Sequence, residues 1–590
     1  MTKATDQLGS QAATDVVTRT SEEAGMRIDR DVPIVMDDSL VIYADVYRPI
    51  RDGRYPVIIT YGPYAKGLAW QDGYPGPWQN MIEFFPDALE GSSNLYQSWE
   101  VVDPEKWVPD DYVCVRVDSR GSGMSPGVLD CFSKRETQDY YAAIEWAGTQ
   151  PWSNGKVGLN GISYYAINQW QVAALKPPHL YAICPWEGSV DFYRDGSYHG
   201  GIPSTFWGGW FEKQCSAVQH GLGSRGYENR AAGGWASGNT ELDEEALVAN
   251  RADLGRQIAD HPFAGAFYDE RSGLPAEIDV PVLTSGNWGG QGLHLRGNTM
   301  AWELLPEGNR WLEMHGGPHW AEFYTDYGVK LQKRFFDRFL KDESNNWDAQ
   351  PPVSLLVRHV DGTFTARAEK SWPIPDTQWA PQYFDAQAMS LTDEVPAAAA
   401  SVTYRAQQSS LLFSKEIEEE LELTGPMVAK LFVSSSTTEA DLFVTVRLLD
   451  PQGEEVVFFG ALDPHTPIAQ GWLRASQLAL DPARSVPHRP FHMHDKADPL
   501  VPGEVYELDI EILPTSIVIP AGYRLMVEVA GADYVYPGEA TTQTMIAVTM
   551  TGCGPFIHPG RDAAEYNGEV TLHTGGEHAS HLVVPRIPRR

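Results

Sequence analysis

Lys156-Val157-Gly158-Leu159-Asn160-Gly161-Ile162-Ser163-Tyr164-Tyr165-Ala166-Ile167-Asn168-Gln169-Trp170 is the stretch on which the reading of the fold turns. An apolar, strand-like run from Val157 passes through the small-residue turn Gly161-Ile162-Ser163 into a helix-compatible segment. A serine at such a turn is lifted above the sheet edge, and the backbone N–H groups that follow it point at an oxyanion formed there. This is the setting of a nucleophile elbow. Tyr165 departs from the G-x-S-x-G pattern, which has its second glycine there. G-x-S alone is weak evidence, since most such serines are structural; the strand–turn–helix context makes Ser163 the candidate nucleophile.

Outward from this stretch, short β-rich runs alternate with helical ones between Arg54 and Lys341, the pattern of a mostly parallel sheet covered by helices. The predicted strands are PVIITYG after Tyr55, YVCVRVD from Tyr112, KVGLNGIS from Lys156, YAICPWEG from Tyr181, VPVLTSGNW from Val280 and RWLEMHGG from Arg310. TQDYYAAIEWAGTQ reads as a helix, and Leu331, Phe335 and Phe339 share one face of the last one. The fold class is α/β, an α/β-hydrolase core.

The expected division of the chain is a flexible tail over 1–25, core over 26–190, an inserted cap over 191–277, core again over 278–345, and a β-sandwich over 346–590. The interval assigned to the cap is too long for an ordinary βα connection and is rich in Gly, Trp and Tyr. It overhangs the strand ends where open α/β sheets bind ligands. Beyond Pro351 the period becomes two: Leu508, Ile510 and Ile512 alternate with Asp509 and Glu511, and Leu442, Val444, Val446 and Leu448 with Phe443, Thr445 and Arg447. Each such strand is expected to have one buried and one wet face, as in an antiparallel jelly roll.

The 590 residues hold 45 Lys plus Arg against 79 Asp plus Glu, a formal charge of −34, which repels phosphate backbones and anionic lipids. Nucleic-acid and membrane partners are therefore not expected. There is no run of 18 apolar residues and the first 25 residues are polar, so a cytoplasmic location is expected. Five scattered cysteines form no CxxC pair, so neither a disulfide framework nor a zinc site is implied. Self-association as a homo-oligomer stays open.

The run from Gln150 to Gln171 resembles the nucleophile region of the cocaine esterase and X-Pro dipeptidyl-peptidase group of acyl hydrolases, which includes α-amino-acid ester hydrolases. The similarity continues in ADVYRP from Ala44, YGPYAKG from Tyr61 and DSRGSGMSPG from Asp118. Downstream it runs through SWPIPDTQW, LTGPMVAKLFVSSS and IPAGYRLMVEVAG, so it covers nearly the whole chain after residue 26. It implies a hydrolase core with a helical cap and a C-terminal jelly roll.

The resemblance also implies site residues. Tyr64 matches a tyrosine whose hydroxyl serves the oxyanion hole; the second donor is then the backbone N–H of Tyr164. His319 stands where the family has its catalytic histidine, in the order Ser, acid, His, with His315 as a rival nearer the strand. The acid departs from the family: Gly289 occupies the position of its aspartate. Glu187 ends the preceding strand, one ladder spacing of about 4.8 Å away, and is the candidate replacement; Asp191 and Asp195 are the alternatives.

Trp170, Trp186, Trp288 and Trp320 lie near this rim and are candidate substrate-binding residues. His492, Met493, His494 and Asp495 imitate a metal cluster but lack further ligands at fixed spacing, and read as a polar surface loop. The expected activity is cofactor-free hydrolysis of a small-molecule ester, lactone or amide through an acyl-enzyme. The alternatives are release of X-Pro dipeptides, and a non-catalytic binding protein on a decayed hydrolase fold, which the missing aspartate brings into view.

Overall fold

The computed structural model describes residues 16–543 and 548–589. Its centre is an eleven-stranded mixed sheet in which the predicted strands appear as Tyr55–Gly62, Val113–Asp118, Ser153–Ile162, Leu180–Trp186, Val282–Asn287 and Arg310–His315. These six run parallel to one another, and most of their residues are buried, because helices cover both faces. Lys134–Thr149 and Asp326–Leu340 are two of those helices; the second buries Leu331 and Phe335 and leaves Phe339 half-buried.

In spatial order, Ser153–Ile162, Leu180–Trp186, Val282–Asn287 and Arg310–His315 lie side by side. Their C-terminal ends therefore present Ser163, Glu187, Asn287 and His315 along one rim. This ordering, which is a property of the topology and not of any one segment, is what assembles the site.

Two boundaries differ from expectation. Arg19–Glu23, inside the stretch expected to be a tail, pairs antiparallel with Met26–Val35. The turn between them places Ala24 and Gly25 at φ 48° and 76°, and the first strand is polar throughout: Thr20 bonds Asp29 and Glu23 accepts from Arg30. Hydropathy carries no signal for such a hairpin. Residues 1–15 of the expected tail lie outside the described residues. At the other edge, Val353–Arg358 and Phe364–Glu369 join the same sheet, so it runs two strands past residue 346.

The interval 191–277 holds only short pieces, among them Phe206–Trp210, Glu244–Ala249, Leu254–Asp260 and Ala266–Arg271. The later residues form a second eleven-stranded, largely antiparallel sheet that closes on itself through pairing of Leu421–Ser435 with His581–Ile587, a flattened β-sandwich. The strand Tyr506–Ile519 shows the expected alternation up to Ile512. Asp441–Leu449 does not: Phe443 and Thr445 are buried as well as Leu442 and Val444, because His558 and Arg561 cover the outer face. Among the described residues no helix is long and apolar enough to cross a membrane.

The loop with His492 and His494 is also not a surface feature. Both histidines are buried, and the Arg194 guanidinium of the cap donates to the carbonyls of His492 and Met493. His494 Nδ1 bonds Gln477 and His492 Nε2 bonds the Asp509 carbonyl. The cluster is a junction between cap and sandwich.

Candidate active site

Ser163 caps the helix Tyr164–Ala173 with φ 55° and ψ −112°, a conformation that costs a non-glycine residue about 1–3 kcal/mol. Surrounding bonds hold it there: Ser163 N–H donates to the Trp186 carbonyl at 3.1 Å, and Ile162 N–H to the Glu100 carbonyl at 3.0 Å. Gly161 is required, since a β-carbon there meets Tyr165 Cβ at 2.5 Å and the Glu100 carbonyl at 3.1 Å. Tyr165 is tolerated in place of the second glycine because Gly62 leaves room for its ring; a β-carbon on Gly62 would stand 2.6 Å from that ring.

The N–H of Tyr164 is the first of its helix and has no carbonyl of a preceding turn to bond. The Tyr164 side chain points elsewhere, donating its hydroxyl to the buried Glu136 carboxyl. Tyr64 lies over the elbow, its ring edge-on to Tyr164 and Tyr165, and its hydroxyl accepts from the Trp210 indole N–H at 2.9 Å. As an acceptor in that bond it keeps its own proton free to donate. The loop bearing it is anchored by Lys66, whose ammonium sits 2.7 Å from Asp31 and 2.8 Å from Asp45, both buried.

Glu187 is wholly buried, with φ 52°, and its Oε2 lies 2.6 Å from His319 Nδ1. Its Oε1 lies 3.1 Å from His315 Nε2, and His315 Nδ1 lies 2.8 Å from Glu313. Burial pushes the Glu187 carboxyl up, but the adjacent His319 and His315 outweigh it and bring it down to about 2. Burial works against charge on His315, and Glu313 and Glu187 overcome it, raising the imidazole to about 10. His315 is thus the counter-ion of two carboxylates. Asp191 and Asp195 are committed elsewhere, to Arg194 at 2.8 Å and to Arg296 at 2.9 Å.

His319 Nε2 faces a second carboxylate, Glu100 Oε1, at 3.0 Å. Burial lowers the His319 imidazole; Glu187 and Glu100 together raise it past its ordinary value, to about 10. His294 stacks on His319 with ring centroids 5.1 Å apart, and burial there keeps it neutral. His319 N–H donates to the Ala461 carbonyl of the β-sandwich at 2.8 Å, and Ala461 N–H donates to Gly289 at 3.0 Å.

Ser163, His319, Glu100, His294 and Tyr64 line one cleft, closed above by Phe206, Trp210 and Gln214 of the cap and at the side by Leu462 of the sandwich. The cavity is about 20 Å³, room for about one water. A substrate therefore enters only when cap side chains move. Trp170, Trp186, Trp288 and Trp320, expected to line the cleft, are all buried away from it. Trp186 packs on His315 and Phe323, Trp288 on Trp372, and Trp320 on Trp99; Trp170 fills the space beside Gly188 and Gly273. The aromatic residues at the cleft are Trp99, Trp210 and Phe206. Sequence reasoning missed these and Glu100: Trp99 and Glu100 lie in an irregular segment, and Phe206 and Trp210 on a helix of five residues, too short to show a periodicity.

An acyl-transfer constellation on this fold defines the class: a serine-dependent hydrolase. Residues 38–321 match the family model for X-Pro dipeptidyl-peptidase (S15 family), and 345–583 that for the X-Pro dipeptidyl-peptidase C-terminal non-catalytic domain. The crystal structure of a CocE/NonD family hydrolase from Staphylococcus aureus superposes with a TM-score of 0.82 at 31% identity, covering 95% of this chain and 94% of that one. Cocaine esterase of Rhodococcus sp. (strain MB1 Bresler) is 24% identical over 95% of this chain and 98% of its own length. A putative serine esterase of Mycobacterium bovis is 26% identical over 86% of this chain and 92% of its own. The chain belongs to the CocE/NonD family of serine hydrolases, whose members include esterases and X-Pro dipeptidyl-peptidases. The reading as a non-catalytic protein on a decayed fold is set aside.

Proposed function

We propose that Ser163, His319 and Glu187 form the triad of an esterase for small carboxylic esters, with lactones and amides as lesser substrates, and that Tyr64 and the Tyr164 N–H form its oxyanion hole. The observation that carries this is the 2.6 Å contact between Glu187 and His319 at the rim that holds the strained Ser163. His319 takes the Ser163 proton as Oγ attacks the carbonyl; the charge on the carbonyl oxygen falls to the Tyr64 hydroxyl and the Tyr164 N–H. His319 returns the proton to the leaving alcohol, and water then hydrolyses the acyl-enzyme. Glu187 holds Nδ1–H and stabilises the imidazolium, the task the family gives to the aspartate replaced here by Gly289. A jelly-roll sandwich and a cytoplasmic location belong to the same reading, the latter supported by five free, buried cysteines.

The test is fluorophosphonate labelling with peptide mapping, beside turnover of an ester panel and of X-Pro amides. Label on Ser163, ester turnover, and loss of both in a folded Ser163→Ala variant are expected. Turnover by folded Ser163→Ala within tenfold of wild type contradicts the assignment, and faster cleavage of X-Pro amides than of esters moves the substrate class to peptides.

A further inference from the structure

Two carboxylates flank one imidazole here, and only one of them has a place in a Ser-His-acid triad. Glu100 is buried and held at φ 63°, and its own carbonyl accepts the N–H of Ile162, the residue before the nucleophile. Its Oε1 is 3.0 Å from His319 Nε2, the nitrogen that must serve Ser163, and no hydrogen bond joins His319 to Ser163 among the described residues. Its Oε2 is buried without a hydrogen-bond partner. Burial pushes the Glu100 carboxyl up to about 7 against the opposing pull of the His319 imidazole, and the nearby Trp99 indole N–H meets no acceptor in hydrogen-bond geometry.

Proton counting constrains what this pair can do. Nδ1–H is committed to ionised Glu187, so a hydrogen bond between Nε2 and Oε1 needs one proton on one of the two atoms. Ser163 cannot supply it there. The imidazole and the carboxyl therefore share a proton that must leave before Nε2 can act as a base.

We propose that Glu100 is a catalytic carboxyl of the deacylation half-reaction, holding the attacking water while His319 Nε2 deprotonates it. The inference rests on Ser163 as nucleophile. In the acyl-enzyme Ser163 Oγ is esterified and has no proton to share. Once the proton held between Nε2 and Glu100 Oε1 has left to solvent, water donates one hydrogen to Nε2 and the other to the Glu100 carboxylate, and its lone pair attacks the acyl carbon. The first proton passes to His319, the tetrahedral intermediate collapses, the Oγ–acyl bond breaks, and the proton goes to Oγ as the carboxylic acid leaves. Atoms and charge balance with no further reactant. A cavity the size of about one water, bounded by Ser163, His319 and Glu100, fits the role.

Glu100→Gln and Glu100→Asp separate this from a structural role, with p-nitrophenyl acetate as the acyl donor. In Glu100→Gln a stoichiometric burst of p-nitrophenol should precede slow turnover, with intact protein mass raised by one acetyl group. On the alkaline plateau of each protein's pH profile, steady-state kcat should fall by about 10² with KM falling alongside it, leaving kcat/KM there within a few-fold of wild type. Glu100→Asp should recover part of the loss. Fluorophosphonate labelling of Ser163 at the wild-type rate reports that the fold and the acylation machinery are intact. Loss of labelling, or kcat and kcat/KM falling together without a burst, overturns the proposal, as does wild-type turnover. Failure of wild-type enzyme to label at Ser163 instead removes the reading on which it rests.

Discussion

Gly289 and Gly460 meet backbone to backbone: a β-carbon placed on Gly289 would stand 2.3 Å from Gly460 Cα and 3.1 Å from Ala461 N. The Gly289 position, where the family resemblance implies an aspartate, is filled by a loop of the β-sandwich, and Ala461 of that loop accepts the His319 backbone N–H. The absent acid and the docked loop are one structural fact. Gly289→Asp should therefore lower Tm by roughly several degrees through overpacking against backbone, and should not rescue a Glu187 variant. Thermal unfolding of the single variant and turnover of the double variant check this; rescued turnover contradicts it.

Glu187→Gln keeps the shape and removes the charge that faces both His319 and His315. A fall in kcat of roughly 10²–10⁴ with little change in KM is expected, by analogy with neutralising a triad acid. Steady-state kinetics on a p-nitrophenyl ester measure it. Near-wild-type turnover would return the search to a triad without an acid, since Asp191 and Asp195 are held by Arg194 and Arg296.

His319 is faced by Glu187 and Glu100, both of which favour its charged form, and by His294, which opposes it; His315 balances part of the Glu187 charge. A base whose folded value is raised to about 10 is protonated, and inactive as a base, through the neutral range, so kcat/KM should climb with pH on the alkaline side. Removing one carboxylate must lower that value. Glu100→Gln should accordingly shift the rising limb to lower pH by about one unit or more. The pH–rate profiles of the two proteins, corrected for spontaneous hydrolysis, decide it; an unshifted limb means that Glu100 does not charge the base.

The β-sandwich should not be removable. It supplies Leu462 to the cleft and the Ala461 carbonyl to His319, while Val353–Arg358 and Phe364–Glu369 complete the first sheet. Residues 1–345 expressed alone should be insoluble or inactive. A soluble fragment with wild-type turnover would refute this.

The sequence by itself determined the elements. Apolar runs bounded by turns placed the parallel strands from Tyr55–Gly62 to Arg310–His315, and the turn at Gly161 put Ser163 at an elbow, because hydrophobic period and small-residue turns are local properties. Chain order and family resemblance singled out Tyr64 and His319, and its place at the end of the neighbouring strand singled out Glu187; the structure brings all three to one cleft or its wall. Only the tertiary structure decided the rest. Glu100 and Trp99 reach the cleft from an irregular segment, Trp210 from the end of a five-residue helix, His294 from a helix start and Leu462 from a loop of the β-sandwich, so no spacing along the chain marks them. The four tryptophans nearest the rim in sequence went into the core instead, since a large apolar ring beside a strand end gains more from packing than from facing water. Whether Gly289 could hold a carboxylate was settled by Gly460, a residue 171 positions away, because a contact between two backbones depends on how two sheets dock and on nothing either segment encodes alone.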